Sequence, residues 1–113
     1  MKIVDTIIVA ELTVMDEKMY GDLVKGVVDL ANDILIVDAE MHADEEAYLL
    51  ENGAKQNDLW GINLYPQRFG SDEFIEFDSM INIRPRQQNM SRGVENESIR
   101  LQILELVAGK VTS

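Results

Sequence analysis

Leu23-Val24-Lys25-Gly26-Val27-Val28-Asp29-Leu30-Ala31-Asn32-Asp33-Ile34-Leu35-Ile36-Val37 decides how the rest of the chain is read. The β-branched Val24, Val27 and Val28 alternate loosely with Lys25 and Asp29, and Ile34 to Val37 forms a second apolar run. Such residues fit a pleated, half-buried surface, and Asn32 and Asp33 between the runs carry side chains that accept backbone hydrogen bonds in tight turns. The stretch therefore predicts a β-hairpin, and with it antiparallel pairing. Gly26 inside the first arm predicts a bulge or a close packing neighbour.

Toward the N-terminus, Ile3 to Val9 is apolar and mostly β-branched, which predicts a short strand. Ile8, Leu12, Met15 and Met19 then recur at helical spacing, with Glu11, Asp16, Glu17 and Lys18 on the other faces and Gly21 placed to end the helix. Toward the C-terminus, Ala43 to Leu50 predicts a helix whose first turn holds Asp44, Glu45 and Glu46, where the helix dipole favours acids, and Asn52-Gly53 closes it. Leu59 to Tyr65 and Phe74 to Ile83 predict a second hairpin joined by Pro66 to Asp72, and Asn96 caps a last helix with Ile99, Ile103 and Leu106 on its apolar stripe. The fold class is α+β: one domain over residues 1–113 in the order β-α-ββ-α-ββ-α. Its sheet is largely antiparallel, with roughly four or five strands and the helices packed on one side.

Ten basic against 21 acidic residues give a net charge of -11, so the surface repels phosphate backbones and anionic bilayers. Neither nucleic acid nor a membrane is expected as a partner. The start of the chain carries Asp5 and no long apolar run, and a cytoplasmic protein is expected. With no cysteine there is no disulfide and no thiolate nucleophile or ligand.

Against this acidic background, Arg84-Pro85-Arg86-Gln87-Gln88-Asn89-Met90-Ser91-Arg92-Gly93 holds three arginines and no acid. Clustered guanidinium groups with backbone and amide donors suit an anion; they equally suit internal pairing with Asp78, Asp44 or Glu45. Strand alternation adds a face. Leu35, Val37, Ala39 and Met41 oppose Asp38, Glu40 and His42; Trp60, Ile62 and Leu64 oppose Gly61, Asn63 and Tyr65; Ile75, Phe77, Ser79, Ile81 and Ile83 oppose Glu76, Asp78, Met80, Asn82 and Arg84. The candidate binding residues are Glu40, Asn63, Tyr65, Asn82, Arg84 and Arg92, on a polar sheet face that could also be simply solvated.

His42 is the single histidine. As a catalyst it would act as general base with Asp78 or Glu40 orienting it; as scaffold it would tie down the start of the helix it precedes. Glu40-x-His42-x-Asp44 resembles a ligand spacing, but one histidine cannot build a structural zinc site, and only an oxygen-rich set of Asp38, Glu40, Asp44 and Asp78 would remain. No metal and no cofactor are expected. Ser79 and Ser91 lack a nucleophile elbow, and no glycine-rich nucleotide loop is present.

Asp22-Leu23-Val24-Lys25, His42-Ala43-Asp44-Glu45-Glu46, Asp58 to Pro66, Phe77 to Pro85 and Ser91-Arg92-Gly93-Val94 together resemble a family of short prokaryotic proteins catalogued only as a domain of unknown function. The resemblance runs from Val9 to Val107 and implies no activity. Two functional expectations follow from the residues. One is a binding domain that recognises a partner protein or small anionic ligand through the polar face and the arginine loop. The other is a small hydrolytic or proton-transfer enzyme using His42 as acid/base, Asp78 to orient it, and Arg84 and Arg92 to hold an anion. A homodimer paired through an edge strand is a further expectation.

Overall fold

The computed structural model describes residues 1–19 and 21–113. The opening stretch folds as expected into β3 (Val24–Asp29) and β4 (Ile34–Val37), paired antiparallel with Val28 opposite Leu35. Asp29 organises the turn: its carboxylate accepts from the amides of Ala31 and Asn32 and from the Asn32 side chain, and Asp33 takes a left-handed φ of 56°. Gly26 sits in regular register rather than in a bulge, and its neighbours stand at ordinary contact distances.

β1 (Lys2–Val4) lies against β4, and β5 (Leu59–Leu64) lies against β3. With β6 (Ile75–Glu76) they complete a five-stranded antiparallel sheet in the order β1-β4-β3-β5-β6. The strand expected over Ile3 to Val9 is shorter and divided. Residues Asp5 and Thr6 interrupt it, β2 (Ile7–Ile8) pairs parallel with β7 (Val111–Thr112), and Val9 already begins α1 (Val9–Met19). Leu12 and Met15 of the predicted stripe are buried, whereas Ile8 and Met19 at its ends are exposed. Gly21 closes the helix at φ 85°, its amide donating to Asp16 O at 2.6 Å.

The α+β class and the antiparallel sheet stand as expected; the placement of the helices differs. Val24, Val28, Leu35, Val37, Trp60, Ile62 and Leu64 point into a core with Leu12 and Met15 of α1 and Ile103, Leu106 and Val107 of α3 (Glu97–Ala108). The alternate residues Val27, Ile36 and Leu59 pack against Leu49 of α2 (His42–Glu51). Side chains of a strand alternate between faces, so α1 and α3 cover one side of the sheet and α2 the other. Every residue of β5 is buried. The polar face expected to meet water is therefore covered over much of its area.

Two local breaks cause this. Asp38 leaves β4 at φ 70°, so Glu40 and His42 do not continue the strand's alternation, and His42 is the first residue of α2. The strand expected through Ile83 stops at Glu76, because Ser79 Oγ accepts from Ile81 N and turns Met80–Asn82 into a single 3-10 turn. Asn96 caps α3 as predicted, its side chain accepting from Ile99 N at 3.1 Å. No helix among the described residues is long and apolar enough to cross a membrane.

Candidate functional site

β6 covers β5 only at Asn63 and Leu64. Farther along the same edge, side chains replace the missing strand. Asn82, wholly buried, accepts from Gly61 N at 2.8 Å and donates to Gly61 O at 3.0 Å, as a neighbouring peptide would. Arg84 donates to the carbonyls of Leu59 and Gln56 and to Gln87 Oε1 at 2.9 Å. Its guanidinium carbon lies 4.1 Å from the centre of the Trp60 ring. Gly61 permits the approach: a Cβ there would stand 2.6 Å from Ser79 Cβ. Asn82 and Arg84, expected on a binding face, are thus built into the sheet edge.

The arginine stretch is organised from within. Arg84 and Asn89 exchange backbone hydrogen bonds at 2.8 and 3.1 Å around a turn in which Gln88 has φ 59°. Buried Asn89 reaches the carbonyls of Asn82, Ser91 and Gly93, and accepts from Glu95 N at 2.8 Å. The amides of Met90 and Ser91, which could have held a foreign anion, donate to Glu95 Oε2. Those two hydrogen bonds hold the Glu95 carboxyl below its ordinary range. Asn89 and Glu95 carry no sequence signal of this role: the donors to Glu95 are backbone amides four and five positions earlier, which any residues there would supply.

Tyr65 donates to Glu76 Oε1 at 2.9 Å under the guanidinium of Arg68, and burial with that hydrogen bond pushes its phenol upward. Glu40 is exposed on the connection from β4 to α2. Neither residue lines the cleft that brings the remaining candidates together.

That cleft, about 200 Å³, lies between the start of α2 and the segment from Asp78 to Arg92. His42, Asn63, Asp78 and Arg92 share its wall with Lys25 and Ser79, and Met41, Ala43, Met80 and Ile81 supply apolar surface. Arg92 Nε donates to Asp78 Oδ1 at 2.6 Å, with both side chains exposed. The N-cap position of α2 is Met41, which offers no side-chain cap to the first amides of the helix. Asn63 donates to Glu76 Oε1 at 2.9 Å and to Asp78 O at 3.3 Å, while its own Oδ1 is buried without a hydrogen bond.

His42 is anchored rather than open on both sides. Nε2 stands 2.8 Å from Ile62 O. A carbonyl only accepts, so Nε2 carries the proton and the neutral ring leaves Nδ1 as an acceptor. Burial lowers the His42 pKa against the opposing pull of the Ile62 carbonyl, keeping the ring neutral at pH 7.

One turn along α2, on the same buried stripe as His42 and Leu49, lies Glu45. It is wholly buried, and neither carboxyl oxygen has a hydrogen bond. Burial pushes its pKa from 4.5 up to about 10, outweighing the attraction of Lys25, so it is a neutral acid at pH 7. The helix-dipole reading of the acidic first turn missed this, although the spacing of positions 42, 45 and 49 places them on one helical face. Among the described residues no cluster of His, Asp or Glu could hold a metal ion.

A family model described as Protein of unknown function (DUF5674) matches residues 1–110, and the chain belongs to that family. No curated protein and no solved structure matches it.

Proposed function

We propose that this DUF5674 protein is a binding domain for a small anionic ligand, held in the cleft between the start of α2 and the Asp78–Arg92 segment. The observation that carries the reading is the make-up of the cleft wall: among the described residues that line it, two cationic side chains, Lys25 and Arg92, stand with one carboxylate side chain, Asp78, in a chain of net charge -11. Glu45 behind the wall is protonated and does not cancel the cations. The uncapped start of α2 adds partial positive charge at the same place. The volume of about 200 Å³ suits a small molecule better than a protein surface. Arg92 serves this reading, whereas Arg84 serves the sheet edge.

Titrating inorganic phosphate and acetate into the protein while following amide resonances tests it. Shifts at millimolar ligand should centre on Lys25, Met41 to Ala43, Asp78 to Ile81 and Arg92, with Pro85 to Asn89 unmoved. Absent shifts, or shifts centred on Pro85 to Asn89, would overturn it.

A second reading, a small proton-transfer or hydrolytic enzyme, is favoured by one observation: burial keeps the His42 ring on the cleft wall uncharged at pH 7, the form that can accept a proton. It requires a turnover that His42→Gln abolishes while ligand binding persists.

A further inference from the structure

The cleft is lined by side chains of two kinds. Lys25, His42, Asn63, Asp78, Ser79 and Arg92 are polar; Met41, Ala43, Met80 and Ile81 are apolar. Met41 and Met80 are 53% and 65% exposed, large unbranched side chains left in solvent at the edge of a charged cleft. Each belongs to the element that shapes the cleft, Met41 at the start of α2 and Met80 in the 3-10 turn after Ser79. Methionine adapts its shape to apolar partners and interacts favourably with aromatic rings through its sulfur. A ligand consisting of bare phosphate or acetate would leave all of this surface in water.

We propose that the cleft takes a small amphiphilic carboxylate, its anionic head toward Lys25 and Arg92 and an apolar, preferably aromatic, body against Met41 and Met80. The inference rests on the anion reading above and narrows it. Size agrees: an apolar cavity of about 150 Å³ accommodates one benzene ring, so a cleft of this volume accommodates a ring with its carboxylate. The ligand class is therefore that of benzoate or a short branched acyl carboxylate rather than a nucleotide or a phosphorylated sugar, which would overfill it.

The probes that test this are benzoate, acetate, inorganic phosphate and benzyl alcohol, titrated into the protein with methionine methyl and backbone amide resonances observed together. Benzoate should bind about tenfold tighter than acetate, through burial of the ring, and should move the methyl signals of Met41 and Met80. Met80→Gln should narrow that difference several-fold; the side chain is exposed, so the fold survives the change. Equal binding of benzoate and acetate, with still methionine methyls, would overturn the inference and leave the anion reading standing. Benzyl alcohol binding as tightly as benzoate would overturn both, and so would a cleft unmoved by any of the anions.

Discussion

The segment from Ser79 to Glu95 and the underside of α2 are both rich in buried polar groups, and they treat them in opposite ways. In the first, Asn82, Asn89 and the backbone amides of Met90 and Ser91 find partners within the loop or on β5, and of Arg84 only Nε is left unpaired. In the second, both oxygens of Glu45, Asn63 Oδ1 and Asp38 Oδ1 are buried without a hydrogen bond. Satisfied polar groups fix a conformation; unsatisfied ones carry a penalty, and of these Asn63 lies in the wall of the cleft. Richness in arginine and asparagine marks the edge of β5, and incomplete hydrogen bonding marks the surroundings of α2.

The most severe way to break this contrast is to remove a satisfied group. Asn82→Ala strands the buried N–H and C=O of Gly61 together, which should cost about 4 kcal/mol in urea-induced unfolding. A loss near zero would mean that the edge of β5 finds other partners, and the scaffold reading of the loop would fail.

Removing an unsatisfied group should do the reverse. The folded-state pKa of Glu45 is raised, so the stability it permits is full below its ordinary value of 4.5 and drains away as pH climbs toward about 10. Glu45→Gln keeps the shape and cannot ionise. It should match the parent near pH 4, exceed it by about 3 kcal/mol at pH 7, and widen the gap further in alkali. A flat difference across pH, measured by thermal and urea unfolding, would show that Glu45 is solvated or paired in solution.

The smallest stability effect sharpens the contrast most. Arg92 and Asp78 form an exposed pair, and Arg92→Ala should change unfolding free energy by less than about 1 kcal/mol. Its binding of benzoate and phosphate should fall several-fold. An Arg92→Ala protein that loses stability and keeps binding would return Arg92 to the scaffold beside Arg84.

Much of the fold is legible in the sequence because local rules govern it. The hairpin of β3 and β4 follows from its valines, isoleucines and turn residues, and α3 follows from its Asn96 cap. What misleads is the stretch from Phe74 to Ile83, whose apolar alternation reads as a strand. Ser79 and Asn82 redirect the backbone there by hydrogen-bonding to it, which alternation cannot register. Gly61 carried a legible signal, a glycine within an apolar run, but the same signal at Gly26 had no comparable consequence.

The division of the helices was also partly legible. Ile34 to Val37 and Leu59 to Leu64 are nearly unbroken apolar runs, a pattern of strands buried on both faces rather than one. Of the candidate site, His42, Asn63, Asp78 and Arg92 do meet, although through a helix end and a turn rather than one strand face. Glu45 and the methionines escaped because charge on a first turn and apolar residues near a strand each have an ordinary local explanation.

The parallel pairing of Ile7 and Ile8 with Val111 and Thr112 has a consequence for biosynthesis. A nascent chain presents β2 long before the strand that completes it, because nearly the whole domain lies between them. Until then Ile7, which is buried in the finished protein, lacks that partner, and Ile7 N lacks the Lys110 carbonyl it binds at 2.7 Å. The hairpin of β3 and β4 can form early from neighbouring residues, whereas closure of the domain waits until β7 has been made.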